Sequence, residues 1–464
     1  MSRLATLPRC RTPSVLRLQQ TQRRTVMMGA AAAQHAPKKE GDISSVFVSL
    51  SGAAREPLPD RFRTLKQDLV AGHEDAVVQS WGRLLRALRE ENETVAAKGP
   101  AIIPSVDFRN LDEDVARLKG EIRKRGAAVI RGVVDETEAR AYKEEIEAYV
   151  RKNPSTKAFP ADNPQVYELY WSLPQLKARA HPNMLKTQAT LMHGLWDAAP
   201  GAAISMQPLT YADRLRIRQP GDASFALGPH IDGGSVERWE RDGYGRGGGT
   251  YEAVFRGEWE AYDPWDVTAR VEAVQDLYNG AGACSMFRMF QGWLSISACG
   301  PREGTLLVNP LVQLSTAPEK FLDEDNWAFT GGEAMTSELQ GATPGHGQEL
   351  SDALHPHMEL GKTMVHVPRI RPGDFVVWHG DQVHAVDAVH QGAGDSSREA
   401  FLQGLPGPDF PGGKGESEHV GRPGEEAVRG VEARRAMGLE RLVAAGETRG
   451  ERELVERANR VLGF

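Results

Sequence analysis

Gly-Pro-His-Ile-Asp-Gly occupies residues 228–233 and Trp-His-Gly-Asp-Gln-Val-His occupies residues 378–384, and these two stretches decide the fold. His230 and Asp232 are two residues apart. On a β-strand both side chains would leave the same face, with Cα atoms about 6.5–7 Å apart. That spacing lets one imidazole and one carboxylate bind the same metal ion. His384, from a distant strand, would complete a set of two histidines and one carboxylate.

A set of two histidines and one carboxylate is typical of non-haem Fe(II) oxygenases, because three ligands on one side leave the opposite side of the ion open. His379 and His390 compete with His384 for the third position. His384 is favoured because it follows an apolar run, whereas His379 suits a packing role near the metal. His355 and His357 share the two-residue spacing, but the intervening proline and the lack of a flanking apolar strand favour a solvated loop.

The sequence around these histidines predicts short strands separated by Gly/Pro turns. Residues 214–218 alternate between arginine and an apolar residue, as a half-buried strand does, and Pro220-Gly221 then turns the chain. A double-stranded β-helix, which is a jelly-roll or cupin-like barrel, brings such distant antiparallel strands side by side. The predicted strands lie at 213–218, 228–232, 285–298, 304–309, 364–370 and 374–378.

The rest of the chain predicts helices around this barrel, so the expected class is α+β. Segment 41–200 is expected to be helical with one strand near 126–134, and its helical patterns lie at 57–98, 112–125, 135–150 and 164–196. Segment 201–403 is the expected barrel core. A Gly/Pro-rich linker and C-terminal helices follow at 404–464. The long, glycine-broken and aromatic segment 235–276 predicts an ordered lid inserted in the core.

Composition restricts the class of protein. The chain has 464 residues, a formal net charge of −7 and three cysteines, which argues against a disulfide framework. No run approaches the roughly 18–20 apolar residues of a membrane span, so no membrane partner is expected. The acidic surplus outside the N-terminal segment argues against nucleic-acid binding. The expected partner is a small molecule.

The N-terminal segment 1–40 differs from the rest in charge. Residues 1–39 contain eight Lys/Arg and no Asp or Glu. Such a basic, Ser- and Thr-bearing segment predicts a mitochondrial transit peptide, with a disordered basic tail as the alternative. The predicted location is therefore mitochondrial, or cytoplasmic if the segment is not a transit peptide.

The chain contains several longer motifs: Arg216-x-Arg218, GPHIDGGSVERW at 228–239, YDPWD at 262–266, CSMFRMFQGW at 284–293, WHGD at 378–381 and Val383-His384. Together these motifs resemble a known family, the domain-of-unknown-function family 1479. In addition, Gly126 to Val134 resembles the opening strand of phytanoyl-type oxygenases. The resemblance implies a double-stranded β-helix that holds Fe(II) through His230, Asp232 and His384 and oxidises a small organic molecule with 2-oxoglutarate.

The implied 2-oxoglutarate needs a cation for its far carboxylate, ideally a bidentate guanidinium. Arg288 is the first choice, because it stands alone in an apolar stretch and a buried arginine demands a partner. Gln291 could add a hydrogen bond or simply line the barrel. Arg216 and Arg218 are alternatives for the same role, unless they form a strand pair that faces solvent.

The chain departs from the family pattern after Asp395-Ser396-Ser397, where the next residues resemble the far end of a helix. About twenty residues look absent there, and their loss would remove a strand beside His384 and expose an unpaired sheet edge. It would also remove a place where related oxygenases often carry the arginine for 2-oxoglutarate. We therefore predict reduced stability or activity, with a skipped segment in the gene model as the explanation.

Two other functions stay open. One is a catalytically inactive barrel that binds a metabolite, because a fold alone does not define a function. The other is a cupin-like isomerase or dioxygenase that uses the metal without 2-oxoglutarate. Both alternatives keep the same barrel and differ from the first prediction in their chemistry.

Overall fold

A computed structural model of the chain describes its residues in several stretches. Contacts divide the chain into two compact units, residues 1–37 and 38–464, and every described residue belongs to the second. The predicted transit segment 1–40 therefore lies outside the described residues. The described residues are 46–51, 56–159, 166–210, 212, 214–216, 227–280, 287–301, 303–316, 335–386, 414–446 and 448–464.

Helices fill the first part of the described chain and return at its end. Of these described helices, none has the length and apolarity to cross a bilayer. In chain order the α-helices are α1 (Val48–Ser51), α2 (Arg61–Val70), α3 (Glu74–Lys98), α4 (Leu111–Arg125), α5 (Glu136–Lys152), α6 (Leu173–Arg179), α7 (Pro182–Leu195), α8 (Glu252–Phe255), α9 (Leu360–Thr363), α10 (Val431–Ala436) and α11 (Arg449–Leu462).

The strands are short and come mostly from the second half of the chain. Together with the helices they confirm the predicted mixed helix-and-sheet class. The strands are β1 (Ser105–Asp107), β2 (Ala127–Arg131), β3 (Ala158–Phe159), β4 (Val166–Tyr167), β5 (Leu215–Arg216), β6 (Leu227–Ile231), β7 (Phe290–Leu294), β8 (Leu306–Val308), β9 (Gln348–Glu349), β10 (Val365–His366), β11 (Phe375–His379) and β12 (His384–Val386).

The described strands form two larger sheets and one small sheet. The four-stranded sheet has the order β1-β2-β11-β7, and the five-stranded sheet has the order β10-β8-β12-β6-β9. Strands β1 and β2 are parallel, whereas β11 is antiparallel to both β2 and β7. The small sheet, β3-β4-β5, lies apart from these pairings.

Strand β11 lies at the centre of the fold because both of its faces are buried. Phe375 and Val377 pack in one apolar cluster with residues of α4 and α7. Val376 and Trp378 pack in another cluster, with residues of α3 and β8. Successive side chains of a strand alternate between faces. The four-stranded sheet therefore separates α4 and α7 from α3 and the five-stranded sheet.

Helix α4 passes directly into β2 through Gly126. The first turn of the helix is acidic and its last turn is basic, which complements the helix dipole. Gly126 then ends the helix with φ of 68°, in the left-handed region. A Cβ at this position would collide with the side chains of Gln382 and Val312. Glycine thus lets α4 end against the turn that precedes β12.

The predicted lid, residues 235–276, is a packed layer of turns and short helices. Its aromatic residues Trp239, Tyr251 and Tyr262 are buried in a cluster with residues of α2 and α3. The aromatic composition therefore serves packing, and the opening movement of a lid stays a prediction. The helical pieces of the layer are α8 and the 3-10 helices Val236–Arg238, Arg246–Gly248, Trp259–Ala261 and Thr268–Arg270.

Two sequence-based expectations about local structure are wrong. The helix predicted from residue 164 begins only at Leu173, because Val166–Tyr167 pairs as β4 with both β3 and β5. The residues there are β-branched and aromatic, which suits a strand. The strand predicted at 213–218 is described only at residues 214–216, where Leu215–Arg216 forms β5, and β5 belongs to the small sheet and not to either larger sheet.

The expected unpaired edge beside His384 is also absent from the described part of the chain. Strand β12 pairs with β6 on one side and with β8 on the other. Among the described strands, those with a single neighbour lie at the ends of the three sheets, and β12 is not one of them. The residues around Ser397, where the departure from the family pattern is predicted, lie outside the described residues.

Candidate metal centre

The two histidines of the predicted ligand set face each other across a strand pair. Strands β6 and β12 run antiparallel, and His384 is the direct register partner of His230. The centroids of the two rings are 4.1 Å apart. Both side chains are buried. The predicted convergence of these distant segments is thus produced by backbone pairing.

Asp232 completes the group from just beyond the end of β6. One carboxylate oxygen lies 3.7 Å from His230 Nε2 and the other lies 3.5 Å from His384 Nε2. The three candidate ligand atoms all lie within 4.8 Å of one another. Ligands about 2.1 Å from one ion are separated by roughly 3–3.5 Å, so only a small adjustment is needed to hold a metal ion here.

The tautomers of the two imidazoles also fit a metal. His230 Nδ1 lies 2.8 Å from the carbonyl oxygen of Gly228, and His384 Nδ1 lies 2.9 Å from that of Gln382. A carbonyl only accepts hydrogen bonds, so each Nδ1 must carry the proton and donate it. Each Nε2 then faces Asp232 and is the nitrogen that would bind a metal once it has lost its proton, which is how histidine coordinates a metal.

Asp232 is held in its ionised form. Burial by itself raises the pKa of this carboxyl, but the hydrogen bond with His384 and the nearby positive charges, including that of Arg288, hold the pKa well below its usual range. Gln291 Nε2 donates a hydrogen bond of 2.7 Å to Asp232 Oδ2. An ionised and oriented carboxylate is what a metal ligand requires.

Two buried polar side chains approach the backbone next to Asp232. Gly233 has φ of 81°, and a Cβ there would lie 2.7 Å from Gln275 Oε1 and 3.5 Å from Arg288 Nη2. Arg288 and Gln275 are 8% and 5% exposed. Glycine therefore leaves room for one cation and one amide beside the candidate ligand. Arg288 and Gln291, both predicted from the sequence, are thus near Asp232.

The alternative arginines are elsewhere or outside the described residues. Arg216 belongs to β5 in the small sheet, and its side chain is not among the described ones. Arg218 also lies outside the described residues. The role of these two arginines in binding 2-oxoglutarate stays a prediction.

His379 has the packing role that the sequence favoured. Its Nε2 donates to the carbonyl oxygen of Pro264 at 2.9 Å, and its Nδ1 accepts from the backbone N–H of Asp381. The ring stacks on Trp196, with centroids 4.9 Å apart. Burial lowers the pKa of His379 to about 4. Both ring nitrogens are engaged, so this residue is not a metal ligand in this arrangement.

The other two histidine alternatives have different outcomes. His390 lies outside the described residues. His355, expected in a solvated loop, is fully buried, and its Nδ1 accepts a hydrogen bond from the backbone N–H of Ser351. The expectation was wrong because the turn folds back on itself, with the N–H of His355 bonded to the carbonyl of Ser351.

Sequence reasoning missed a buried ion cluster next to the centre, formed by Arg238, Arg270 and Asp381. Arg238 and Asp381 belong to motifs that carry the family resemblance. The presence of these two charged residues in motifs that carry the resemblance was the available signal. The cluster itself could not be predicted, because ion pairs between residues far apart in the sequence produce no periodic pattern.

The fold and this group of side chains define a class of protein: a mixed helix-and-sheet protein with a buried His-Asp-His group able to hold a metal ion. The chain belongs to the Gig2-like family, which it matches over residues 56–398 and 395–439. The two matched segments meet at 395–398, which is where the departure from the family pattern was predicted.

Known relatives cover most of the chain. The protein YbiU of Escherichia coli K12, itself uncharacterised, is 30% identical over 322 residues, which are 66% of this chain and 73% of YbiU. The crystal structure of GlcNAc Inducible Gene 2, GIG2, from Candida albicans superposes with a TM-score of 0.75 at 28% identity, covering 89% of this chain and 96% of that one. Its name includes the family number 1479, so the predicted family is confirmed.

A third relative has a name that refers to chemistry. The Salmonella typhimurium LT2 protein, provisionally named an oxidoreductase, superposes with a TM-score of 0.65 at 25% identity, covering 83% of this chain and 99% of that one. The likeness extends over nearly the whole of that protein. The reaction class in its name belongs to that protein alone.

Proposed function

We propose that the protein is an Fe(II)/2-oxoglutarate-dependent oxygenase that acts on a small organic molecule. The observation that carries the proposal is the convergence of the Nε2 atoms of His230 and His384 on the carboxylate of Asp232. Two histidines and one carboxylate on one side of an ion are the ligand set of such enzymes. The provisional name of the Salmonella relative is consistent with an oxidation.

The proposal includes a finer account of the fold. Strands β6, β8, β10 and β12 of one sheet and β7 and β11 of the other would be the facing sheets of a double-stranded β-helix. In this account the candidate ligands lie at the end of β6 and the start of β12. The mouth of such a barrel is a common position for a small-molecule site.

When bound, Fe(II) with open positions would couple the oxidative decarboxylation of 2-oxoglutarate, giving succinate and CO2, to the oxidation of a substrate by O2. The chain's own residues would perform the binding and the positioning. His230, Asp232 and His384 hold the ion, and Gln291 orients Asp232 through its hydrogen bond. Arg288 is the nearby buried cation for the far carboxylate of 2-oxoglutarate.

An anaerobic titration with Fe(II) and 2-oxoglutarate tests this function. An oxygenase develops a weak visible charge-transfer band and releases succinate when air is admitted. His230→Ala should abolish both signals, because it removes one of the three ligands. His193→Ala, a change of an exposed histidine on α7, is the matched control and should keep both. No band and no succinate from the unaltered protein would refute the proposal.

The same experiment separates the oxygenase from the two alternatives. A metabolite-binding barrel would bind a small molecule without releasing succinate, and the divided family match at 395–398 is the observation that motivates this alternative. A cupin-like metal enzyme would turn over its substrate without consuming 2-oxoglutarate. Restoring a family-length segment after Ser397 should increase succinate release if the chain is impaired there.

We also propose that residues 1–40 direct the protein to mitochondria, on the basis of their basic, acid-poor composition. Fusing this segment to a fluorescent reporter tests the proposal. A reporter that stays diffuse in the cytoplasm would contradict it.

A further inference from the structure

The ion cluster lies in the fully buried interior. Arg238 Nη1 donates to Asp381 Oδ1 at 2.7 Å, and Arg270 Nη2 donates to Asp381 Oδ2 at 2.6 Å. The hydroxyl of Tyr251 donates to the same carboxylate at 3.2 Å. All three charged side chains are 1–2% exposed. Two guanidiniums from the 235–276 layer thus bind one carboxylate from the turn between β11 and β12.

The cluster touches both segments that carry the candidate ligands. Arg238 Nη2 donates to the backbone carbonyl oxygen of Asp232 at 2.8 Å. Asp381 lies in the turn three residues before His384, and its N–H is bonded to His379 at the end of β11. One guanidinium therefore links the backbone of one ligand to the turn that delivers another.

Global stability is a weak reason for such a cluster. The free energy lost when several charges are removed from water is about as large as the free energy gained from their attraction. Well-packed apolar side chains in the same place often stabilise a fold as well as buried ions do, or better. A buried ion cluster does impose a defined geometry, because guanidinium and carboxylate bind in a fixed planar arrangement. Because Arg238 also binds the backbone carbonyl of Asp232, the fixed geometry of the cluster extends to the candidate metal centre.

We propose that Arg238, Arg270 and Asp381 form a positioning device that sets the separation of Asp232 and His384 for metal binding. This inference rests on the proposed function only in requiring that the centre holds a metal ion. The three residues do not contact the ion. They act through the backbone of Asp232 and through the turn before His384.

Titration of the metal-free protein with Co(II) tests the inference, because the visible absorption of Co(II) depends on the geometry of its ligands. Asp381→Asn should weaken Co(II) binding by roughly 10–100-fold, the usual effect of removing a partner behind a metal ligand. It should also change the shape of the absorption band. Thermal unfolding of each metal-free variant is measured in parallel.

Asp374→Asn is the matched control for loss of a buried carboxylate. Asp374 lies just before β11 and accepts a hydrogen bond of 2.9 Å from Arg131. Asp381 lies just beyond the other end of the same strand. This change should lower stability but leave Co(II) affinity and absorption unchanged. If Asp381→Asn lowers stability in the same way and leaves both Co(II) signals intact, the cluster is only structural and the inference is wrong.

A second pair of variants covers the case in which Asp381→Asn does not fold. Lysine keeps the charge but cannot bind the carboxylate and the carbonyl together. Arg238→Lys should therefore weaken Co(II) binding more than Arg270→Lys, because only Arg238 of the two contacts Asp232. Equal Co(II) affinities of the Arg238→Lys and Arg270→Lys variants would overturn the inference. If the unaltered protein binds no Co(II), the result contradicts the proposed function. If the unaltered protein binds Co(II) and the variants bind it equally well, the result contradicts only the positioning role of the cluster.

Discussion

The ring of Phe47 lies edge-on against the imidazole of His230, with the ring centroids 4.9 Å apart. Phe47 is fully buried, and the preceding carbonyl of Val46 accepts a hydrogen bond from Gly347 at 3.0 Å. Gly347 is needed there, because a Cβ would lie 2.5 Å from the Phe47 ring. A segment near the start of the described chain thus forms one wall of the candidate metal centre.

Phe47→Ala should destabilise the protein by about 3 kcal/mol, the lower end of the usual cost for a buried phenylalanine, since the segment lies at the edge of the core. It should also weaken Co(II) binding, because the His230 ring loses a packing partner. Denaturant unfolding and Co(II) titration measure the two effects. Phe47→Leu keeps most of the apolar contact, so its stability and its Co(II) affinity should lie between those of the unaltered protein and those of the alanine variant. Unchanged Co(II) affinity in the alanine variant would show that the wall does not support the ligand.

Gln291→Leu should weaken metal binding by about tenfold, because Asp232 loses the hydrogen bond that orients its carboxylate. Competition between Co(II) and a coloured chelator gives the affinity. Gln313→Leu is the control, since its amide donates to the carbonyl of Tyr262 and does not contact the centre. An equal loss of affinity in both variants would mean that the effect is not specific to Asp232.

Gly126→Ala should destabilise the protein far more than Gly132→Ala. Both glycines have positive φ, 68° and 65°, so alanine pays a conformational cost of about 1–2 kcal/mol at either site. Only at Gly126 would the new Cβ also collide with Gln382, whose carbonyl orients His384. A lower Tm accompanied by weaker Co(II) binding is expected for Gly126→Ala alone. Similar losses at the two sites would contradict the role of this close approach.

The contribution of Glu237 to the stability of the fold should fall as pH rises through the acid range. Burial raises its pKa to about 7, with the charges of Glu240 and Asp276 adding to the effect. The folded state then holds an extra proton between about pH 4.5 and 7, so its stability decreases over that window and levels off above it. The pKa difference corresponds to a loss of about 3 kcal/mol.

Glu237→Gln should remove this loss. Its gain in unfolding free energy over the unaltered protein should be larger at about pH 7.5 than at about pH 5. His379 acts in the opposite sense, because burial lowers its pKa to about 4 and acid therefore destabilises the fold. Comparing the two proteins at each pH cancels the contribution of His379. A gain that does not change with pH would show that Glu237 is ionised throughout.

The candidate ligands could be predicted from the sequence because their signals are local. The spacing of His230 and Asp232 reflects the two-residue period of a strand, and the continuous apolar run before His384 reflects a strand that is buried on both faces. The positions of most predicted core strands agree with the structure for the same reason. The apolar setting of Arg288 likewise pointed to a buried charge, and the side chain is 8% exposed.

Other contacts could not be read from the sequence because they depend on tertiary packing. The edge-on contact of Phe47 with His230 joins segments that share no pattern. The ionic contacts of Asp381 depend on how the 235–276 layer packs over the turn before β12. Strand β5 shows the limit of a local pattern, since alternating residues predict a strand but do not determine which sheet it joins.

Each candidate imidazole is oriented by a carbonyl two residues earlier in its own chain, Gly228 for His230 and Gln382 for His384. The direction of the two ring nitrogens that face Asp232 is therefore set in part by the main chain, in addition to the side chains that pack around each ring. A change of a neighbouring side chain would leave both of these main-chain hydrogen bonds in place.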